Sequence, residues 1–147
     1  MTASHTIHVS KIISAPLGFV YNWCTDFRED DNKITGSKTG RIILQKTKRR
    51  VVYISAYRSS GRSRYGANIV TLRPPNGWHL DYAGQEGDEI GHYRLTRLGP
   101  ARTRLDMTFR EKYKIRDTPT KKEDAKQTSE LWDRYVVALE RDYARSR

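Results

Sequence analysis

Two glutamates in the second half of the chain, Glu89 and Glu111, are the side chains best suited to acid–base chemistry. They fall on consecutive predicted strands that are joined through Gly99-Pro100-Ala101. A three-residue loop there pairs Leu95 with Leu105, and the same register sets Glu89 opposite Glu111 on the inward face. Two carboxyls that face each other in a partly dry site raise the pKa of one of them, which suits a general acid–base pair. We therefore treat Glu111 and Glu89 as candidate catalytic residues. The alternative is that both are solvated at a wet end of the sheet.

Aromatic side chains form a second candidate site. Trp78 and Tyr82 alternate on one face of a predicted strand, and the hairpin register sets Tyr93 opposite Met107. The side chains that would line the space under a long C-terminal helix, and that become ligand-binding candidates if this space is a cavity, are Trp78, Tyr82, Tyr93, Met107, Phe109, Tyr113, Trp132 and Tyr135. Aromatic walls with a few hydroxyls suit a planar or sterol-like ligand, whose polar group Glu111 would orient. The alternative for each of these side chains is packed core.

The chain is strongly basic, because 28 Lys and Arg outnumber 17 Asp and Glu to give a formal charge of +11. Several of these side chains fall at predicted turns that share one end of the sheet. We call this set the basic pole; it consists of Lys46, Lys48, Arg49, Arg50, Arg97 and Arg102. Such a surface attracts phosphates, anionic lipid headgroups or an acidic partner. No zinc-finger, helix-turn-helix or exposed aromatic stacking pattern accompanies it, so nucleic acid or an anionic surface is the less favoured partner.

Histidine and cysteine give no metal-binding pattern. The four histidines have no mutual ligand spacing, and His79 and His92 are expected to face solvent, opposite the apolar stripe. Cys24 is the single cysteine, which excludes an internal disulfide and a cysteine zinc cluster, and its place on an apolar helix face predicts a small buried side chain. The acidic run Glu29-Asp30-Asp31 lacks calcium-loop spacing. We therefore predict neither a metal nor another cofactor.

Periodicity predicts the elements that position these residues. Alternation of β-branched residues predicts a strand over 5–13, and apolar spacings of three and four after Pro16 predict a helix that reaches Phe27. Residues 28–37 are interpreted as a second short helix or a loop. Apolar clusters bounded by Gly, Pro, Asn or charged residues then predict six antiparallel strands, at about 40–47, 50–59, 64–73, 77–84, 88–98 and 102–115.

The last segment predicts one long helix. Thr120 and Glu123 have the spacing of a capping box, and no Gly or Pro interrupts the chain from Thr120 to Arg147. Apolar residues recur on one face of this helix, which must therefore bury a stripe, while a long antiparallel sheet must cover one of its faces. The order of elements favours an α+β domain in which a curved sheet of seven strands wraps around the C-terminal helix.

Three segments of the chain carry a family resemblance. Ile12-Ile13-Ser14-Ala15-Pro16, followed by Val20-Tyr21, is similar to a strand that runs into an APxxxVY opening. Tyr93-Arg94-Leu95 through Thr103-Arg104-Leu105 is similar to a YxLxPxGxGTRL hairpin, and the closing helix with Trp132 is the third segment. On these segments the chain resembles the START-like superfamily of helix-grip proteins, also called SRPBCC or birch-pollen-allergen-like, and in particular its polyketide cyclase/dehydrase and lipid transport group.

The resemblance implies a helix-grip fold with a cavity between the sheet and the long helix. It also implies that the cavity mouth lies at the end of the sheet that holds the connections after Tyr57, Gly84 and Ile115. We therefore expect a single cytoplasmic domain over 1–147, without a membrane span, that binds or transports a small hydrophobic molecule, lipid-like or polyketide-like. Two alternatives stay open: a polyketide cyclase/dehydratase-type enzyme with Glu111 as acid–base, and an interaction module that uses the basic pole for RNA, an anionic membrane or an acidic protein partner.

Overall fold

Seven strands and two helices make up the part of the chain that the computed structural model describes, residues 4–27, 40–59 and 61–147. In chain order they are β1 (Ser4–Ile13), α1 (Leu17–Thr25), β2 (Gly40–Lys46), β3 (Arg50–Ser59), β4 (Arg62–Arg73), β5 (Gly77–Gly84), β6 (Gly87–Gly99), β7 (Arg102–Tyr113) and α2 (Lys121–Ser146). The second helix or loop predicted over 28–37 and the acidic run Glu29-Asp30-Asp31 lie outside the described residues.

The strands form one antiparallel sheet in the order β1-β7-β6-β5-β4-β3-β2. Consecutive strands from β2 to β7 are neighbours, as their short connections require, and β1 pairs with β7. The face toward α1 and α2, here the inner face, carries the buried side chains that alternate along each strand, and the outer face points away from the helices. This is the α+β helix-grip architecture that the sequence predicts.

The β6–β7 hairpin has the predicted register, because Glu89 pairs with Glu111 and both lie on the inner face. The turn differs from the three-residue loop that we expected. A register shift near the end of β6 lets Gly99 pair with Arg102, and only two residues remain in the connection. A bulge of this kind absorbs the extra residue without changing the pairing farther along the strands.

The connections gather at the two ends of the sheet. The start of β1 and the β3–β4, β5–β6 and β7–α2 connections lie at one end, which we call the mouth end. Gly61 in the β3–β4 connection has φ of 74°, a left-handed conformation that glycine adopts without steric cost. The basic pole lies at the far end, where β4 and β5 separate the β2–β3 turn from the β6–β7 turn. The members of the basic pole therefore fall into two groups, with Arg73 at the end of β4 between them.

The helix α2 begins at the predicted capping site. The Thr120 hydroxyl accepts a hydrogen bond from the backbone N–H of Glu123 at 3.1 Å and donates one to the carboxylate of Glu123 at 2.9 Å. The helix continues for 26 residues without interruption, and at 1.5 Å per residue this spans roughly 39 Å. Among the described residues, no helix has the length and apolar composition that a membrane span needs.

Polar contacts fix α2 beside β1, and the two elements run in the same direction. The ammonium group of Lys11 donates to Asp133 at 2.6 Å, and the backbone N–H of Ser14 donates to Glu140 at 2.7 Å. The apolar stripe of the helix faces the core, where Leu139 is only 1% exposed. The start of α2 therefore lies at the mouth end of the sheet, and its C-terminus lies at the opposite end.

Candidate functional site

A cavity of about 160 Å³ lies between the sheet and the two helices. Strands β2 to β6 supply its floor, and α1 and α2 supply its roof. We call it the aromatic cavity; it is lined by Trp23, Cys24, Phe27, Arg41, Tyr53, Val70, Trp78, Leu80, Tyr93, Trp132 and Tyr135. Four of the residues that the sequence analysis proposed for ligand binding are in this lining: Trp78, Tyr93, Trp132 and Tyr135.

The walls of the aromatic cavity are rings that pack on one another. Trp78 stacks on Tyr93 with ring centroids 4.8 Å apart and planes inclined by 13°. Trp132 lies 4.9 Å from Tyr135 and 6.0 Å from Tyr93, and Trp23 meets Tyr135 edge to face at 6.3 Å. Each ring is held by its neighbours, so the walls are formed before a ligand arrives.

Arg41 brings a positive charge into this aromatic lining. Its guanidinium carbon lies 4.7 Å from the ring centre of Tyr53 and 5.2 Å from that of Phe27. Both distances are within the range of cation–π attraction. Burial raises the pKa of Tyr53, although the charge of Arg41 and a hydrogen bond with it act in the opposite direction. A polar or anionic group on a bound ring can therefore meet a cation in this cavity.

Five side chains come together at the mouth end, and we call them the mouth cluster: His5, Glu89, Glu111, Tyr113 and Asp124. They come from β1, β6, β7 and the first turn of α2. The Tyr113 hydroxyl lies 2.9 Å from both Glu111 Oε2 and Asp124 Oδ2. His5 Nε2 lies 2.6 Å from the same oxygen of Asp124. Hydrogen bonds therefore connect the glutamate pair to the N-terminus of α2.

Glu89 of the mouth cluster has a strongly raised pKa. Burial raises the pKa of Glu89 to about 8, and Glu111 adds to this shift through a hydrogen bond and charge repulsion. At neutral pH Glu89 therefore holds its proton and donates it to Glu111. Burial also raises the pKa of Tyr113, which stays a neutral hydroxyl beside the pair. The arrangement is an acid next to a carboxylate, the form that acid–base catalysis uses.

A second cavity, of about 250 Å³, opens beside the glutamate pair. We call it the mouth cavity; it is lined by Tyr57, Tyr82, Glu86, Gly87, Asp88, Glu89, Glu111, Lys112, Tyr113 and Ile115. Tyr82 and Tyr113, which the sequence analysis assigned to the ligand site, thus lie beside the glutamates and outside the aromatic cavity. Met107 and Phe109 line neither cavity, because they are buried in the packed core.

Two glycines make room for Tyr82 in the mouth cavity. A Cβ added at Gly66 would come within 2.1 Å of the Tyr82 ring, and one added at Gly84 within 2.3 Å of its hydroxyl. Burial raises the pKa of Tyr57, and hydrogen bonds with Tyr82 and Glu86 raise it further. Tyr57 is therefore a neutral hydrogen-bonding group, and the two glycines decide where Tyr82 lies.

One group of three potential metal ligands occurs within the described residues: His5, Glu111 and Asp124, whose donor atoms all lie within 4.8 Å of one another. His5 Nε2 and Asp124 Oδ2 are 2.6 Å apart, which is a hydrogen-bond distance. Two ligand atoms bound to one ion at about 2.0–2.2 Å lie roughly 3 Å apart. The 2.6 Å between His5 Nε2 and Asp124 Oδ2 is shorter than this, so an ion does not fit between these two atoms. We assign the group to hydrogen bonding. The sequence analysis searched for metal-ligand spacing among the histidines, the cysteine and one acidic run, and it did not anticipate this group.

Several residues of the two sites escaped the sequence analysis. Trp23 and Tyr53 lie on a predicted helix and a predicted strand, where an aromatic residue is equally consistent with packed core. Arg41 shares the inner face of β2 with Ile43, and a charge on an apolar face was the available signal. Asp124 gave no signal, because an acidic residue in the first turn of a helix is common on exposed helices as well.

Comparison with known proteins supports the fold. No protein-family model matches the chain, and no curated protein matches it. A START superfamily protein from Mycobacterium smegmatis has a TM-score of 0.70 at 17% identity, covering 97% of this chain and 99% of that one. The Zhui aromatase/cyclase from Streptomyces sp. R1128 has a TM-score of 0.66 at 15% identity, covering 95% and 90%. Ara h 8.0201 has a TM-score of 0.72 at 11% identity, covering 97% and 99%. The START-like helix-grip fold that the resemblance predicts is thereby confirmed.

Proposed function

We propose that this protein binds a small, planar, largely apolar molecule in the aromatic cavity. The observation that carries the proposal is the cavity itself, in which aromatic rings from the sheet and both helices face one space beside Arg41. Ligand sites are concave and mostly apolar, with a few polar groups that orient the ligand. One structural neighbour is named an aromatase/cyclase and another a START superfamily protein, which is consistent with a ligand-binding role for this fold.

The volume narrows the class of ligand. An apolar cavity of roughly 150 Å³ accommodates benzene, so a cavity of about 160 Å³ suits a single aromatic ring with small substituents. A sterol, which the sequence analysis allowed, exceeds this volume. A carboxylate, phenol or carbonyl on the ring is the substituent that Arg41 would recognise, because the guanidinium group donates hydrogen bonds to oxygen.

Filling the aromatic cavity is expected to weaken binding of a ring-sized probe. Cys24 lines the cavity from α1, and Cys24→Leu adds carbon atoms where the ligand would lie. Overpacking of this kind costs about 1–3 kcal/mol, which corresponds to a loss of about 5- to 150-fold in affinity for p-cresol or benzoate. Isothermal titration calorimetry measures the change.

Cys24→Ser is the matched control, because it nearly preserves the side-chain volume and should bind both probes as the wild type does. Native mass spectrometry with organic extraction of the same sample identifies any molecule that copurifies. Equal affinity of the Leu and Ser variants would place the bound probe outside the aromatic cavity. Absence of binding to the wild type would refute a site for single-ring ligands.

The glutamate pair favours a second function, acid–base catalysis of the cyclase/dehydratase type in the mouth cavity. Glu111 can take a proton from a carbon next to a carbonyl, while Glu89 gives its proton to a hydroxyl that leaves as water. The hydrogen bond between the two carboxyls then returns the proton from Glu111 to Glu89, which restores the pair. Tyr113 positions Glu111 through its hydroxyl.

Glu111→Gln is expected to stop this reaction, because an amide cannot accept the proton. The loss of a general base lowers the rate about 100- to 10,000-fold. The probe is an aryl β-hydroxy ketone, whose dehydration to a conjugated enone is followed by absorbance. Glu130→Gln, on the exposed side of α2 and outside both cavities, is the control and should retain the rate. If the wild-type protein dehydrated the probe no faster than buffer alone does, this reaction would be excluded. The proposal of ligand binding in the aromatic cavity does not depend on that result.

A further inference from the structure

The outer face of the sheet carries three of the four histidines in one row across the strands. The register pairs His79 on β5 with His92 on β6, His92 with Thr108 on β7, and Thr108 with His8 on β1. As the sequence analysis expected, His79 and His92 lie opposite the apolar stripe, although the His79 side chain is only 18% exposed. These histidines lie on the face opposite the two inner cavities and serve neither of them.

His79 and His92 meet nitrogen to nitrogen. Their Nδ1 atoms lie 3.1 Å apart, and the ring centroids are 4.4 Å apart. On the other side of the His79 ring, Nε2 lies 3.1 Å from Asp81 Oδ2. When Nε2–H donates to this carboxylate, Nδ1 of His79 carries a lone pair that points at His92. A histidine whose remote N–H is held by a carboxylate is the usual form of a metal-ligating histidine.

The separation of the two nitrogens fits one metal ion. Imidazole nitrogens bind zinc at about 2.0–2.1 Å, and at tetrahedral or square-planar angles two of them lie roughly 2.9–3.4 Å apart. The observed 3.1 Å falls in this interval. When His92 carries its proton on Nε2, both Nδ1 atoms have free lone pairs, and an ion can take the place of the hydrogen between them. The 2.6 Å contact between His5 and Asp124 is too short for an ion to bind both side chains in this way.

We propose that His79 and His92 form a two-imidazole binding site for a divalent transition metal on the outer face of the sheet. Asp81 is the positioning residue, since it orients His79 and does not touch the ion. Imidazole pairs suit Zn²⁺, Ni²⁺ and Cu²⁺, and Cu²⁺ binds most tightly of the three. Two protein ligands leave positions for water or for an external ligand.

The surroundings of the pair indicate what that external ligand is. His79 and His92 lie in a surface groove of about 500 Å³ whose lining includes Arg73, Arg94 and Asp106. The carboxylate of Asp106 accepts from Ser10 and Arg104, which leaves the two arginines as the cations of the groove. Guanidinium groups bind carboxylate and phosphate oxygens. The third ligand that this groove favours is therefore a small anion, which neutralises the arginines as well as the ion.

Titration of the full chain without an affinity tag tests the site, with Ni²⁺ as the probe in isothermal titration calorimetry. His79→Ala and His92→Ala are each expected to abolish the high-affinity phase, and Asp81→Asn to weaken binding about tenfold, as loss of an orienting carboxylate does. His8→Ala is the matched control, because His8 occupies the same row without joining the pair, and it should bind as the wild type does. Thermal unfolding verifies that each variant is folded.

Cu²⁺ provides a second readout, because the spectrum of the bound ion reports its nitrogen ligands even where the affinity is low. Electron paramagnetic resonance of the wild type is expected to show hyperfine coupling to two imidazole nitrogens, and either alanine variant to show at most one. Unchanged Ni²⁺ affinity in the double variant His79→Ala/His92→Ala would overturn the proposal and place the ion elsewhere. Equal losses in the His8→Ala variant, or a wild type that binds no Ni²⁺, would overturn it as well.

Discussion

Between about pH 5 and pH 8, the wild-type protein is expected to lose folding stability that the Glu89→Gln variant retains. The unfolded chain releases the Glu89 proton near its ordinary pKa of 4.5, whereas the folded protein holds it up to about 8. The folded state therefore binds more protons across this window, so the free energy of unfolding falls as pH rises, by at most about 1.4 kcal/mol per pH unit. Above the folded pKa both states are ionised and the loss is complete.

Urea unfolding across this window, and one pH unit beyond it, measures the difference. Gln does not ionise and keeps an N–H donor toward Glu111, so the Glu89→Gln curve lacks this slope. Glu130→Gln, on the exposed side of α2, is the control and should follow the wild type. Parallel curves for the wild type and Glu89→Gln would mean that Glu89 is ionised in the folded protein, and the dehydratase mechanism would then lack its acid.

Asp124→Ala is expected to lower the free energy of unfolding by about 1–3 kcal/mol. Asp124 is 5% exposed, yet its Oδ2 accepts from Tyr113 at 2.9 Å and meets His5 Nε2 at 2.6 Å. Truncation takes from His5 its close partner, while the Tyr113 hydroxyl keeps Glu111 Oε2 as an acceptor at 2.9 Å. It also removes a negative charge from the first turn of α2, where the helix dipole favours it.

A second aspartate on the same helix provides the comparison. Asp133 pairs with Lys11 of β1 at 2.6 Å, but its side chain is 62% exposed. An exposed ion pair contributes roughly 0–1 kcal/mol, so Asp133→Ala should cost much less than Asp124→Ala. A double-mutant cycle with His5→Ala then isolates the His5–Asp124 term in urea unfolding. Equal small losses for both aspartates would show that the mouth cluster does not hold α2 to the sheet.

The structure supports the interaction-module hypothesis less than it supports the two functions proposed for the cavities. The basic pole is divided by β4 and β5. Lys46 is moreover engaged within the chain, since its ammonium group donates to the backbone carbonyl of Phe27 at 2.5 Å. Charges of this kind attract anions in general and do not by themselves select a nucleic acid.

Local rules determined a large part of the architecture. The capping box at Thr120 predicted the start of α2, because only local hydrogen bonds decide a helix terminus. The Glu89–Glu111 pairing was predictable because a slip of one residue would reverse every side chain of the hairpin between the core and solvent. The predicted loop was one residue too long, because the β6–β7 hairpin contains a bulge near its turn. The bulge leaves the core-facing side chains in place, so the pattern of apolar residues does not reveal it.

Contacts between distant segments decided what the sequence left open. His5 and Asp124 are 119 residues apart, and only the placement of α2 beside β1 brings them to 2.6 Å. The volume of the aromatic cavity depends on how rings such as Trp78 and Tyr93 stack, and periodicity says on which face a ring lies but not how far it reaches into the space. The sequence by itself therefore determined the fold and the facing glutamates. Tertiary packing decided the size of the aromatic cavity, the raised pKa of Glu89 and the contact of His79 with His92, because each depends on distances between atoms of different strands or helices.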